Sequence, residues 1–310
     1  MKKKKEMMYT IALRKRLSRE DFFWKQKDFE FVECNINGHG RYWVADPFVF
    51  EDEGVLYVFY EAFDLVERKG KIGYSIIKDG IATDPKIVLD EAYHLSFPYI
   101  FRDGDEIYIM PESCGDYRVK LFRAVDFPNK WESAEILLPD AFDVDNIFIQ
   151  SAGKNYLLVN ERYHNPPMNK VSSCWVKNVL YPMKGYFQII GEGCKVAEGE
   201  YGIRNAGKII EDNGKIIRVG QNCDAGVYGK GLVFFEIESL EPYCEKVIYS
   251  IDYPEMDQHI RRVTKEQLEG VHTYNYSENY EVIDLVIYRP ISKWMDLKRL
   301  CFLGWKHIRK

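Results

Sequence analysis

The sequence predicts an all-β fold, a five-bladed β-propeller followed by a short helical tail. Three observations carry that expectation. One hairpin motif recurs five times, the copies are spaced by the length of a four-stranded blade, and helical periodicity is almost absent between residues 30 and 290.

The first copy lies in residues 44–64, VADPFVFEDEGVLYVFYEAFD. Two runs of β-branched and aromatic residues flank an acidic tip ending in glycine, which is hairpin composition with hairpin turn chemistry. Its core is 46–61, and the later copies are 97–112 (FPYIFRDGDEIYIMPE), 145–161 (DNIFIQSAGKNYLLVNE), 204–221 (RNAGKIIEDNGKIIRVGQ) and 272–289, the most divergent. Their starts are separated by 51, 48, 59 and 68 residues. Further strands fit in each interval: KIGYSIIKDG and KIVLDEA after the first, RVKLFRAV and SAEILLPD after the second. SSCWVKNVL and KGYFQII follow the third, GLVFFEIES and CEKVIYSI the fourth. Five such sheets set radially hide most of their edges. The fifth hairpin runs almost at once into Pro290, so its blade lacks an outer strand, and the N-terminal YTIALRKRL is expected to supply it. The expected domains are therefore 1–290, a propeller closed by its own N-terminus, and 291–310, a basic amphipathic helix.

Composition narrows the function classes. Of 310 residues, 46% are hydrophobic and 29% charged, as in a soluble protein with a substantial core. Aromatics at 15% suit pleated sheets and sugar faces alike. A net charge of −5 gives no global basic field for nucleic acid. The cysteines, Cys34, Cys114, Cys174, Cys194, Cys223, Cys244 and Cys301, are odd in number and lack CxxC pairs, which points to reduced thiols. The basic start MKKKKEMM precedes no signal-peptide core and no stretch approaches 18 apolar residues. A cytoplasmic location is the expectation. His94, His164, His259, His272 and His307 show no metal-ligand spacing, and no GxSxG, Walker or GxGxxG pattern occurs. Neither a metal nor an organic cofactor is expected.

A propeller brings the first residues of its innermost strands to one mouth of the central channel. Those residues are Asp46, the segment around Pro98, Asp145, Arg204 and His272. Antiparallel pairing returns Glu61, Glu112, Glu161 and Gln221 to the same mouth. Carboxylates facing one another there would split their pKa values, one raised and another kept ionised. Trp43, just before Asp46, is either a stacking platform at the rim or core filling.

At these residues the chain resembles a known group. ADPF at 45–48, YVFYE at 57–61, HLSFPYIF at 94–101 and IYIMPES at 107–113 are similar to the furanosidase-type five-bladed propellers, glycoside hydrolase families 43, 32 and 62. VDNIF at 144–148, RNAGKI at 204–209, the RVGQNC to YG run at 218–229 and VHT at 271–273 also resemble the N-terminal propeller of plant glucosamine inositolphosphorylceramide transferases and its bacterial relatives. The likeness covers about residues 40–290. It implies that Asp46 is the general base or nucleophile and Asp145 the residue that tunes pKa and orients the acid. The fourth-blade glutamate that serves as acid in that clan is missing: the strand opens with Arg204, and Glu198 and Glu200 lie upstream. Glu112 or Glu161 is the replacement this sequence offers.

The resulting expectation is a carbohydrate-active, glycosidase-type enzyme working on a sugar or glycoconjugate in surface polysaccharide metabolism. Asp46, Asp145 and Glu112 would be catalytic, with Trp43, Glu61, Pro98, Glu161, Arg204, Gln221 and His272 contacting the ligand. An inverting mechanism would hold the two carboxylates ~6.5–9.5 Å apart. Arg204 and His272 are expected donors, and the arginine points to an anionic or phosphate-bearing sugar. The alternatives are a non-catalytic module for a glycan or nucleotide sugar, or a glycosyl-transferring enzyme. In the tail, Trp294, Leu297, Leu300, Cys301 and Trp305 recur near helical spacing among Lys293, Lys298, Arg299, Lys306, Arg309 and Lys310. Such a segment either packs on the propeller or touches an anionic membrane surface.

Overall fold

A computed structural model describes residues 5–36, 38–263 and 266–290. They form five sheets around one axis, a five-bladed β-propeller. Blade I is built on Tyr42–Asp52, Val55–Asp64 and Lys69–Lys78, with Ile81–Ala82 and Lys86–Leu89 at its outer edge. Blade II orders Ser96–Asp103, Glu106–Glu112, Arg118–Asp126 and Lys130–Pro139 from the axis outward. Blade III uses Asp143–Ser151, Lys154–Arg162 and Val176–Lys184, then Gln188–Ile189 and Cys194–Gly199. Blade IV has Tyr201–Asn205 and Ile210–Asp212 innermost, then Lys215–Asn222, Gly231–Leu240 and Tyr243–Asp252. All five expected hairpins are present.

Blade V joins the chain ends. Lys5–Lys15 pairs antiparallel with Tyr280–Pro290 along its whole length, from Lys5 opposite Pro290 to Lys15 opposite Tyr280. The N-terminal strand is not outermost, as the sequence suggested, but third. Phe31–Cys34 pairs beyond it, and Ile260–Arg261 runs parallel to that strand at the edge. The ends must close there because each is apolar on both faces: Ile11, Ala12, Ile283 and Leu285 are all fully buried. The expected helix at 291–310 lies outside the described residues, among which the α-helix is the four-residue Tyr253–Met256.

The aromatic surplus is spent mostly between blades. Phe48 of blade I meets Phe97 of blade II edge-on at 4.9 Å, and Tyr99 meets Phe148 of blade III at 5.6 Å. Such contacts contribute about 0.5–1.5 kcal/mol each beyond area burial. Near the axis, backbones approach too closely for side chains. A Cβ on Gly220 would lie 2.0 Å from the carbonyl oxygen of Gly202, and one on Gly207 would lie 1.8 Å from that of Tyr274. This accounts physically for the glycines in the RVGQ and NAGK stretches.

Candidate active site

Asp46 reaches the channel mouth because the backbone bulges under it. In blades I, II and III the innermost strand breaks register at the same step: two residues face one between Ala45 and Phe48, Ser96 and Tyr99, and Val144 and Ile147. The first residue of each bulge, Asp46, Phe97 and Asp145, is left-handed, with φ of 50°, 44° and 48°. Aspartate tolerates that region, whereas a residue like phenylalanine pays roughly 1–2 kcal/mol. Bulges of this kind re-aim side chains, and backbone outliers collect at functional sites. The bulges also touch: the Phe97 N–H donates to Asp46 Oδ2 at 3.3 Å.

Two charge clusters meet there. In the first, the imidazole of His272 lies between Asp284, whose Oδ2 is 2.6 Å from Nδ1, and Asp46, whose Oδ1 is 3.2 Å from Nε2. The Nδ1 approach is an ionic contact without hydrogen-bond alignment. Asp284 is itself fixed by the backbone N–H groups of His272 and Thr273, each at 3.0 Å, and by that of Asp46 at 3.3 Å. Burial disfavours the imidazolium, but Asp284 and Asp46 overcome this and lift His272 to about 10. Burial would likewise raise Asp46. The bond and charge of His272, then the Thr273 hydroxyl at 2.8 Å and the charge of Arg204, hold it below the ordinary carboxylate range.

In the second cluster Arg204 donates through Nε to Asp145, and its Nη2 lies 3.6 Å from Glu112. Asp145 also accepts from Gln221 Nε2 at 3.0 Å. Burial, and then the charge of Asp145, push Glu112 up to about 8 although Arg204 pulls the other way. Glu61 is raised well above its ordinary value by burial, then by Asp46 and Glu112. The mouth therefore holds an ionised carboxylate, Asp46, beside Glu112, which keeps its proton at neutral pH, and Glu61, which is raised in the same direction. Among the described residues, two buried acceptors, Glu61 Oε1 and Gln221 Oε1, have no hydrogen-bond donor, and the nearest ionic contact of the former is His94 Nε2 at 3.4 Å.

Of the residues singled out from sequence, Asp46, Asp145, Glu112, Glu61, Arg204, Gln221 and His272 come together. Pro98 is buried beside them as the second residue of the blade II bulge. Trp43 is half-buried, stacked on Phe63 at 4.5 Å and touching Tyr9 at 4.9 Å, which is the packing alternative. Glu161 does not join. Its carboxylate is paired with Lys177 at 2.6 Å, and the register explains why: the counterpart of Glu61 and Glu112 is Asn160, opposite Val144. A one-residue offset turns a strand side chain to the other face. Arg204 also departs from expectation, because Asp145 already neutralises it.

Sequence reasoning missed four participants: Asp284, Thr273, Tyr9 and Tyr228. Tyr9 lies tilted against His272 at 5.1 Å, and Tyr228 lies 5.1 Å from the same imidazole with Arg204 5.2 Å from its own ring centre. A lone acid within the apolar run VIDLVIY was the available signal for Asp284. Asp46, His272 and Asp284 also offer donor atoms within 4.8 Å of one another, a spacing that could hold a metal ion. Sequence spacing did not reveal it because the ligands come from blades at opposite ends of the chain. A metal there would have to displace the proton of His272.

Comparisons with known proteins follow the same lines. The family model described as glucosamine inositolphosphorylceramide transferase 1, N-terminal, matches residues 31–275. The enzyme of that name from Arabidopsis thaliana is 32% identical over 215 residues, and that from Oryza sativa subsp. japonica 30% over 213. Each alignment covers 67% of this chain and 28% of the relative, so the chain spans under a third of the length of these curated proteins. Among solved structures, a β-xylosidase/α-arabinofuranosidase from a compost microbial metagenome superposes with a TM-score of 0.55 at 10% identity, covering 81% of this chain and 91% of that one. An α-L-arabinofuranosidase from Podospora anserina gives 0.54 at 8%, covering 91% and 98%. Such low identity speaks for the propeller fold alone. The family match runs through four blades and into the fifth, and on that ground the chain belongs to the glucosamine inositolphosphorylceramide transferase 1 N-terminal family.

Proposed function

We propose that this chain is a carbohydrate-active protein whose channel mouth takes a neutral, hydroxyl-rich sugar or glycoconjugate and breaks or transfers a glycosidic bond. One observation carries the reading: an ionised carboxylate, Asp46, sits within electrostatic reach of Glu112, which keeps its proton up to about pH 8. Carboxyl groups whose environments push their pKa values apart are the usual arrangement for acid and base at a glycosidic centre. Asp46 would act as base or nucleophile, Glu112 would protonate the leaving oxygen, and Arg204 with Asp145 would position Glu112. The donor-less oxygens of Glu61 and Gln221 suit sugar hydroxyls, and the rings of Tyr9, Trp43 and Tyr228 suit a sugar face. The name of the plant relatives supports a sugar or glycoconjugate ligand.

A binding module is the second reading, favoured by the saturation of Asp46: Thr273, His272 and the Phe97 N–H already occupy its oxygens. The test is turnover and binding on a panel of aryl furanosides and pyranosides, comparing wild type with Asp46→Asn. Turnover that falls at least ~10³-fold in the variant supports the enzyme. Binding without turnover in either protein supports the module, and neither binding nor turnover would refute both.

A further inference from the structure

Two thiols from different blades meet behind Arg204. Cys174 closes a turn in the blade III loop, where its N–H and that of Trp175 donate to the Val171 carbonyl at 2.9 Å. Cys223 opens a turn just past Lys215–Asn222 of blade IV, its carbonyl accepting from the Gly226 N–H at 3.0 Å. The two turns are packed together: a Cβ on Gly226 would stand 3.0 Å from Cγ2 of Val171. Both cysteines are fully buried, and the Cys223 thiol donates a hydrogen bond to the sulfur of Cys174. Ser173 Oγ lies 3.9 Å from that sulfur, and the Ser173 carbonyl accepts from Arg204 Nη1 at 3.0 Å. The turns themselves lie at the surface, with Val171 and Val227 45% and 46% exposed.

The other described cysteines contact other groups. Cys34 lies against the Val32 carbonyl, Cys114 against Arg162, Cys194 against the Lys195 carbonyl and Cys244 against Glu238. Burial pushes Cys34 up to about 12 and Cys114 up to about 11, which leaves both unreactive at neutral pH. At Cys174 the direction reverses. The hydrogen bond from Cys223 draws it down to about 7 against burial, helped by Ser173 and the charge of Arg204. Cys223 rises because its proton is held in that bond, and then through burial. One thiolate beside one protonated thiol is the arrangement of an attacking and a resolving cysteine.

We propose that Cys174 and Cys223 form a redox modification site, closed to a disulfide by hydrogen peroxide or another small hydroperoxide. The Cys174 thiolate attacks one peroxide oxygen, the O–O bond breaks, and the other oxygen leaves as hydroxide and is protonated to water. Cys174 is then a sulfenic acid. The Cys223 sulfur displaces the sulfenic hydroxyl, the S–S bond forms, and the hydroxyl leaves with the Cys223 proton as a second water. Two thiols lose two electrons and one peroxide is reduced to two waters. The bond ties the blade III loop to blade IV beside Arg204.

The experiment treats the reduced full chain with hydrogen peroxide, denatures it in N-ethylmaleimide and maps its tryptic peptides by mass spectrometry. Cys174 and Cys223 fall in separate peptides, residues 171–177 and 219–230, each without a second cysteine. The expected result is a cross-linked species of these two, about 2 Da lighter than their sum and abolished by dithiothreitol. In Cys223→Ala, dimedone added with the peroxide should tag Cys174, whereas in Cys174→Ala it should tag Cys223 at least ~10-fold less. Circular dichroism confirms that each variant folds, and the wild-type map needs neither of them. The proposal is overturned if both cysteines remain fully alkylated after peroxide, if either is joined to another cysteine instead, or if dimedone prefers Cys223. None of these outcomes depends on whether the mouth turns over a sugar.

Discussion

Nε2 of His272 lies 3.2 Å from Oδ1 of Asp46, and this contact, made across the ring closure between the fifth and first blades, keeps the carboxylate charged. His272→Gln removes the cation that lies between Asp46 and Asp284. The expected cost is ~3–5 kcal/mol, because two buried carboxylates then face each other uncompensated. Chemical denaturation checks it, and a loss under ~1 kcal/mol would show that the imidazole is neutral.

The same contact sets a pH dependence. A group raised from 6.5 to about 10 on folding contributes its full stabilisation below pH 6.5 and loses it as pH rises through 10. Wild-type stability should therefore fall between those values, and His272→Gln should fall less steeply. Parallel curves for the two proteins would contradict the assignment.

Arg204 and Asp145 are expected to be strongly coupled. Arg204→Met alone leaves Asp145 charged and buried, at ~3–5 kcal/mol, whereas adding Asp145→Leu should recover most of that loss. A double-mutant cycle measures it, and additive losses would mean that the pair is not a closed ionic unit.

Glu61→Gln should lie within ~1 kcal/mol of wild type at about pH 4, below the ordinary carboxyl value of 4.5. As pH rises above that value the variant should gain on wild type. A carboxyl raised on folding loses stability as pH climbs from its unfolded value through its folded one, and glutamine has no proton to lose. Melting curves at two pH values are sufficient to test this.

Gly207→Ala should destabilise the axis by several kcal/mol, because the new methyl would stand 1.8 Å from the Tyr274 carbonyl and must push two innermost strands apart. Gly104→Ala is the control. It sits in an open turn at φ 59°, so only conformational strain of ~1 kcal/mol applies. Equal melting shifts would argue against the close approach.

How far the sequence could be read depended on whether the needed information was local. Alternation and turn chemistry within each hairpin put Ala45 opposite Glu61 and Ser96 opposite Glu112, so those acids were assigned to the mouth correctly. The third hairpin has the same spacing and ends on Asn160, opposite Val144, whereas looking for an acid at the hairpin end selected Glu161 one residue beyond it. Asn160 is fully buried and donates to the Ile203 carbonyl, a role that composition cannot announce. Tyr9 and Asp284 were missed for another reason. They meet the mouth only after the ring closes, a contact between residues more than 200 positions apart. The partnering of Arg204 was similarly invisible, since Asp145 reaches it through the bulge rather than through the ladder.

The central claim is that Asp46 and Glu112 occupy opposite protonation states at one mouth. Carbon-13 titration of the side-chain carboxyls, assigned with Asp46→Asn and Glu112→Gln, measures this without any substrate. The account predicts a Glu112 signal that titrates near pH 8 and an Asp46 signal already ionised below its ordinary 3.8. Both carboxyls titrating together near pH 4 would contradict it.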